Sequence, residues 1–379
     1  MVPSRHRAAP GGIPVAGMNR RLTSLRRLLS AAQTPALLVT HPPDLRWLTG
    51  FTGSSGALIV SSRQAIFFTD GRYRAQAAQE IAGIGIEIIE VAPANAALHW
   101  ATSQPEISAL FYDAEQITVA ELERLRALLP GRLRRSYLQP APQPWVSELR
   151  QRKDAGELEI MAEAAALGCR LFDHILGFLR PGLTELAVAA EIEHQARLRG
   201  AEGMSFETIV ASGARSSLPH GRASSARLPR RGPVTLDFGV ILKGYCSDMT
   251  RTVFLGKPTP HELRAYEAVL AAQQAGVSRV RSGVLCQAVD EAARSILRNA
   301  GMAEAFSHST GHGVGLQIHE QPRIAARQKA KLQSGMVITI EPGVYFPGQF
   351  GIRIEDTVVV ERSGCRNLTA SAPTALIQL

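Results

Sequence analysis

No apolar run in the sequence approaches the ~20 residues that a membrane-crossing helix requires, so no segment is expected to span a bilayer. Cysteine is scarce: Cys169, Cys246, Cys286 and Cys365 are widely spaced and form no CxxC pair. That argues against a disulfide framework and for reduced thiols in a cytoplasm. The amino-terminal stretch MVPSRHRAAPGGIPVAGM carries Arg5 and Arg7 but lacks the apolar core of a signal peptide. A disordered extension is expected over residues 1–17, with Met18 as an alternative start. The formal net charge of +9 has no aromatic-basic stripe beside it, and the arginines scatter over segments such as 124–135 and 222–231. A solvated, arginine-rich surface is therefore expected, with no nucleic acid and no membrane among the partners. No internal repeat is visible.

What is present is an ordinary globular composition, 45% hydrophobic and 20% charged. Its 379 residues exceed what one core usually holds, which predicts two domains. Between Leu22 and Tyr137, the runs PALLVT, GALIVS, AIFFTD, IEIIEV and ALFYDA read as strands bounded by turn residues. GRYRAQAAQE and TVAELERLRALLP between them have helical periodicity, giving a small α/β domain over 18–140. YLQPAPQPW (137–145) holds three prolines without a period and reads as a linker. A second domain over 141–379 is predicted to open with helices at 155–178 and 184–199. Further helices follow near 261–281 and 285–299, and a strand-rich block runs from Met336 to Val360. Helices grouped apart from antiparallel strands point to an α+β layout.

Chemistry concentrates in the second domain. VTLDFGVILKGYCSDMTRTVFLG (234–256) reads as strands around a Lys243-Gly244 turn. Leu242 then faces Tyr245, and Asp248 opposes Gly239. Asp237 and Asp248 become diagonal neighbours on one surface, roughly 7–8 Å apart at the backbone. Two interior carboxylates aimed at one spot repel and are poorly solvated, so a cation is expected between them. VITIEPGVYF sets Glu341 at a strand end, and GIRIEDTVVV sets Glu355 inside an apolar run with Arg353 on the same face. HSTGHGVGLQIHEQP (308–322) crowds His308, His312 and His319 among glycines 311, 313 and 315, which are expected to let the backbone pass close to the site. Any one acid alone reads as an exposed or capping residue; the weight lies in four of them beside three clustered histidines. Asp237, Asp248, His312, Glu341 and Glu355 form an oxygen-rich donor set with one nitrogen. That set suits Mn(II), Co(II) or another borderline-hard ion better than a structural zinc. Four carboxylates balance two divalent ions, so a metal pair is predicted.

With those residues assembled, the chain resembles the creatinase/aminopeptidase P/prolidase group of metallopeptidases, family M24. The likeness runs through nearly everything after Met18. LDFGVILKGYCSDMTRTV, HSTGHGVGLQIHEQP, MVITIEPGVYF and GIRIEDTVVV match the group's signature segments in order, while LRWLTGFTGSSGALIV and FFTDGRYRAQA match its amino-terminal domain. The resemblance implies a pita-bread catalytic domain, preceded by a smaller creatinase-type α/β domain. It implies two divalent ions, commonly manganese, with Co(II) or Zn(II) as other occupants. Asp237 would chelate one ion, His312 and Glu341 the other, and Asp248 and Glu355 would bridge them. His220, His308 and His319 would line the site as proton carriers and donors to the substrate, Arg353 would steady the ligand carboxylates, and Glu341 would shuttle a proton. The implied activity is hydrolysis of an Xaa-Pro bond in a proline-containing peptide, by an aminopeptidase or a dipeptidase. A homodimer is a further expectation of the resemblance. Methionine aminopeptidases share the five-ligand pattern but not the 18–137 domain, and creatinase-like or non-catalytic members depart from the ligand set that this chain retains.

Overall fold

The computed structural model describes residues 15–379, with side chains from Gly17 onward. Of the extension expected over residues 1–17, residues 1–14 lie outside the described residues, whereas Val15–Gly17 already open the first helix. Two compact units divide between Arg150 and Gln151.

The first unit runs α1 (Val15–Ala31), β1 (Ala36–Val39), α2 (Pro42–Thr49), β2 (Ala57–Ser61) and β3 (Ala65–Asp70). It continues with α3 (Arg74–Glu80), β4 (Gly85–Ile89), α4 (Pro93–Thr102), β5 (Leu110–Tyr112), α5 (Val119–Leu128), β6 (Leu138–Pro140) and α6 (Trp145–Arg150). All five strands anticipated from the apolar runs form one mixed six-stranded sheet, ordered β4-β3-β2-β1-β5-β6. The central β1 and β2 are buried along their whole length, as unbroken apolar runs demand. The expected linker at 137–145 is part of this unit. Leu138 pairs in parallel with Leu110, and the prolines are tolerated because β6 is an edge strand. Trp145 and Val146 are buried, and Arg150 reaches Asp44 at 2.6 Å, so the unit closes ten residues later than the 140/141 boundary predicted.

The second unit opens with α7 (Ala155–Phe178) and α8 (Glu185–Leu198). Asp154 caps α7 reciprocally with Glu157, satisfying backbone donors that the first turn leaves free. Strands β7 (Gly203–Met204), β8 (Ile209–Ser212), β9 (Gly232–Phe238), β10 (Val240–Leu242), β11 (Tyr245–Cys246) and β12 (Met249–Leu255) follow. Next come α9 (Pro260–Arg279), with its own Thr259/Glu262 capping box, and α10 (Cys286–Asn299). The chain ends with β13 (Gly311–Gly313), β14 (Glu320–Ile324), β15 (Val337–Ile340), β16 (Gly343–Phe346), β17 (Phe350–Arg353), β18 (Asp356–Val360) and β19 (Cys365–Asn367). The four predicted helices are present, and every paired strand in this unit runs antiparallel to its neighbour, the α+β layout expected. α7 and α8 bury their apolar faces on β8, β9, β10 and β12, whereas α9 and α10 pack over strands 311–360.

Two local breaks position the site. Lys243 and Gly244 both have left-handed backbones (φ 48° and 80°), the conformation a two-residue hairpin turn requires. Leu242 faces Tyr245 as expected, and the same register continues to Phe238–Met249 and Asp237–Thr250. Yet the hairpin divides between two sheets at Gly239. The backbone of Ser247 passes so close that a Cβ on residue 239 would lie 1.8 Å from its carbonyl oxygen. The second break is in GIRIEDTVVV, expected as one strand: β17 ends at Arg353 and β18 begins at Asp356, in different sheets. Glu355 therefore sits in the corner between them.

Candidate metal centre

The five predicted donors lie within or immediately beside strands of two sheets. Asp237 lies within β9 and Asp248 one residue before β12; His312 is the middle of β13, Glu341 follows β15, and Glu355 precedes β18. One ligand atom each from Asp248, His312 and Glu355 lies within 4.8 Å of the others. His312 Nε2 is 3.6 Å from Asp248 Oδ2 and 3.3 Å from Glu341 Oε1. Asp237 joins through electrostatics, its charge acting on both Asp248 and Glu355.

Neighbouring side chains hold these donors in place. Thr250 donates to Glu355 Oε2 at 2.7 Å and accepts from Arg353 Nε at 3.2 Å. Arg353 also donates to Asp237 Oδ2 at 2.5 Å, to the Tyr345 hydroxyl at 2.7 Å and to the Pro219 carbonyl at 3.1 Å. Arg353 was expected on one strand face with Glu355; because the strand breaks between them, it reaches Glu355 through Thr250 and pairs directly with Asp237. Thr339 donates to Glu341 Oε1 at 3.0 Å, while its hydroxyl accepts from the His312 amide.

The histidines are placed less uniformly. His308 is mostly buried, with Nε2 2.9 Å from the Tyr345 hydroxyl and Nδ1 2.8 Å from the Ser309 carbonyl. His319 stands edge-on to His312 with ring centroids 4.4 Å apart, on a more exposed side of the same loop. His220 is exposed, two residues beyond Leu218 at the tip of the segment after β8, and its charge is felt by both His308 and His319. The glycines among them have a different purpose from the one expected. A Cβ on Gly311 would lie 2.0 Å from the Thr339 carbonyl oxygen, and one on Gly313 2.3 Å from that of Gln321. They let β13 sit against its neighbouring strands rather than approach the site.

Electrostatics disfavour ionised Asp237, Asp248 and Glu355 side by side in this cluster, which a cation would relieve. Burial pushes Asp248 well above the ordinary carboxylate range, and the negative charges of Glu355, Asp237 and Glu341 push it further. Glu355 is raised in the same way, by burial and then by Glu341 and Asp237. Asp237 is also raised by burial, although Arg353 pulls against the shift. Burial alone would raise Glu341 as well, but its hydrogen bond and charge interaction with His312 outweigh that and hold it low. His312 is the mirror case: burial opposes its proton, yet Glu341 raises it. Burial lowers both His308 and His319. Asp237 Oδ1 and Glu355 Oε1 are buried without any hydrogen-bond partner. Buried orphan carboxylate oxygens are rare in native structures unless an ion completes them. The donors present fit hard or borderline-hard divalent metal ions.

Comparison with known proteins agrees with this geometry. Residues 159–362 match the model of metallopeptidase family M24, and residues 21–151 match the creatinase/prolidase amino-terminal domain. The chain belongs to metallopeptidase family M24. An uncharacterized peptidase of Bacillus subtilis is 38% identical over 94% of this chain and 99% of its own length. An Xaa-Pro dipeptidase from Bacillus anthracis superposes with a TM-score of 0.91 at 36% identity, covering 96% of this chain and all of that one. An X-Pro aminopeptidase from Thermotoga maritima gives 0.85 at 32% identity, over 94% and 99% of the two chains. The second unit is accordingly the M24 pita-bread domain, and the first is the creatinase-type domain. Among the described residues of this M24 chain, no helix is long and apolar enough to cross a membrane.

Sequence reasoning missed Tyr345, Thr250 and Thr339, the hydroxyls that connect Arg353, His308 and the ligands. A signal existed for two of them. A tyrosine inside the apolar strand GVYF needs a partner for its hydroxyl, and Thr250 lies two residues from Asp248 on the same strand face.

Proposed function

We propose that this M24 enzyme hydrolyses the Xaa-Pro bond of proline-containing peptides and releases the amino-terminal residue. The observation that carries this reading is the grouping of Asp248, Glu355 and His312, with Glu341 beside His312, Asp237 acting on both carboxylates, and two buried carboxylate oxygens left unpartnered. Asp237, Asp248, His312, Glu341 and Glu355 would hold two divalent ions, manganese being the ion we propose. When bound, such ions supply a water ionised near neutral pH and polarise the scissile carbonyl.

The chain's own groups account for the rest. Glu341 is held ionised, and its Oε1 is engaged by Thr339 and His312. Its Oε2 is therefore the atom we assign to take a proton from the attacking water and return it to the leaving nitrogen. That nitrogen belongs to proline and has no hydrogen of its own in the peptide, so the proton must be delivered. His308 is held neutral by burial, with its Nε2 ordered by Tyr345. Its single N–H is spent on the Ser309 carbonyl and its Nε2 accepts from Tyr345, so His308 would line the site, while His319 and His220 would donate to the substrate carbonyl and stabilise charge developing there. Arg353 fixes Asp237 and, through Thr250, Glu355.

A second reading, an Xaa-Pro dipeptidase restricted to dipeptides, is favoured by the close superposition on the Bacillus anthracis dipeptidase. One Xaa-Pro dipeptide and one longer Xaa-Pro peptide, assayed side by side with manganese, separate the two. Cleavage of both supports the aminopeptidase, cleavage of the dipeptide alone supports the second reading, and cleavage of neither overturns both. A homodimer is proposed from the resemblance alone, and light scattering of the metal-loaded protein checks it.

A further inference from the structure

The segment that carries His220 leaves β8 at Ser212, passes through a short 3-10 turn (Gly213–Ser217) and returns at Ser224. Both ends converge on one side chain that no part of the mechanism above uses. Glu185, the first residue of α8, is fully buried. Its Oε1 accepts from the Ser212 amide at 2.8 Å and the Ser212 hydroxyl at 2.9 Å. Its Oε2 accepts from Arg215 Nε at 2.9 Å, the Ser224 amide at 3.2 Å and the Ser224 hydroxyl at 2.7 Å. One carboxylate thus receives five hydrogen bonds from three points along a single loop. Arg215 extends the link by donating to the Arg222 carbonyl at 2.7 Å, two residues past His220.

The far face of the same loop rests on the metal centre. Gly351 donates its amide to Ser216 Oγ at 2.8 Å, and Arg353 donates to the Pro219 carbonyl, immediately before His220. Gly351 itself has no room for a side chain, since a Cβ would lie 2.2 Å from the Ser216 carbonyl oxygen. The loop is therefore gripped at its base by Glu185 and along its inner side by β17. His220 itself is exposed. With its side chain exposed, its place depends chiefly on the backbone beneath.

We propose that Glu185 is a positioning residue: it closes the Ser212–Ser224 loop and thereby sets His220 against the substrate, without touching metal or substrate itself. This rests on the Xaa-Pro peptidase reading for the task of His220, but not for the clasp. A buried carboxylate with all its acceptor sites used holds the loop far more tightly than the same loop's exposed contacts could. Misplacing a substrate-binding group by about an ångström is enough to lower the rate by roughly 100-fold.

The test uses the full chain loaded with manganese and an Xaa-Pro tripeptide. Glu185→Gln keeps the shape but turns one acceptor oxygen into a donor facing other donors. Its kcat/KM is expected to fall by about 10- to 100-fold, with bound manganese per chain unchanged. His220→Ala is expected to lower it comparably, and the double variant should be no worse than His220→Ala alone. Losses that multiply in the double variant, or a loss of manganese in proportion to activity, would overturn the proposal. If Glu185→Gln does not fold, Ser224→Ala removes one donor and leaves the carboxylate, and the same non-additivity with His220→Ala is required. Hydrogen exchange gives an arm independent of activity. The amides of Ser212 and Ser224 should exchange faster in Glu185→Gln, while those of Thr250 and Ile338 keep their protection; unchanged exchange at Ser212 and Ser224 would sink the clasp. If the wild-type chain leaves Xaa-Pro peptides intact, the functional reading fails, and exchange alone decides the clasp.

Discussion

Asp248 and Glu355 occupy positions where a negative charge is disfavoured until a cation arrives. Both are raised by burial and by neighbouring carboxylates, so the metal-free native state holds their protons to a higher pH than the unfolded chain does. The native state then binds more protons than the unfolded state, and stability falls as pH rises through that window. Asp248→Asn removes the share that belongs to Asp248. Metal-free Asp248→Asn is expected to be more stable than metal-free wild type by about 1–3 kcal/mol at neutral pH. That gap should shrink toward zero as pH falls to about 4, the ordinary carboxylate value; paired thermal melts across pH check both points. The gain comes with lost function, because the same side chain is a proposed ligand. Glu355→Ala is expected to abolish Xaa-Pro hydrolysis and reduce bound metal, read by elemental analysis beside the assay. Full activity in that variant would contradict the site assignment. Arg353→Lys keeps the charge but cannot reach Asp237, Thr250, Tyr345 and Pro219 together. Metal affinity or activity should drop by about 10- to 100-fold, the usual consequence of removing a group that orients ligands, and a metal titration measures it.

At the scale of elements, the site depends on places where strands change sheets. The hairpin from β9 to β12 keeps one register while dividing at Gly239, and Asp237 and Asp248 flank that division. A methyl at position 239 would meet the Ser247 carbonyl at 1.8 Å, and backbone cannot yield as a flexible side chain would. Gly239→Ala is therefore expected to destabilise the chain by about 3 kcal/mol, an overpacking penalty. It should also weaken metal binding, because the clash separates the two strands that carry the aspartates. Denaturant melts with and without manganese test this; wild-type stability and stoichiometry in Gly239→Ala would show that the close approach is not needed. The corner at Ile354–Glu355 works in a similar way. Ending β17 at Arg353 and starting β18 at Asp356 turns Glu355 toward the other ligands, and the buried Arg251 braces the corner from behind by donating to the Asp356 carboxylate at 2.7 Å.

For the whole molecule, each unit has its own apolar core, one around Leu38, Ile59 and Leu110, the others around the helices and strands of residues 151–379. All five proposed ligands lie in the second unit. Ligand binding to the native state stabilises by mass action, by about 2.7 kcal/mol when free ligand is 100 times its dissociation constant. Manganese should raise the melting transition of the second unit and a chelator should reverse the rise, a comparison calorimetry makes directly. Binding must displace whatever protons the raised Asp248 and Glu355 hold, so proton release should grow and apparent affinity should fall on acidification. Calorimetric titration in buffers of different ionisation enthalpy, repeated from acid to neutral pH, measures that release; none at any pH would contradict the raised carboxylates.

Local chemistry was enough to propose the five ligands and to mark the Lys243-Gly244 turn, the strands expected in the first unit and the long helices. Each of these follows from residue type and short-range periodicity, such as charge inside an apolar run or an imidazole among glycines. What local chemistry could not specify was how the chain turns between sheets. Proline-rich 137–145 looked like a linker because an edge strand tolerates proline, and only its pairing with β5 shows that it belongs to the first unit. Glu355 looked like a strand residue because the break at 354–355 is imposed by two different sheets rather than by any turn residue. The partners of Arg353, and the grip of Glu185 on a loop 27 to 39 residues further along the chain, were equally invisible. Hydrogen bonds between residues far apart in sequence exist only once packing has brought their elements together, so the identity of the donors was written in the chain and their arrangement was decided by the fold.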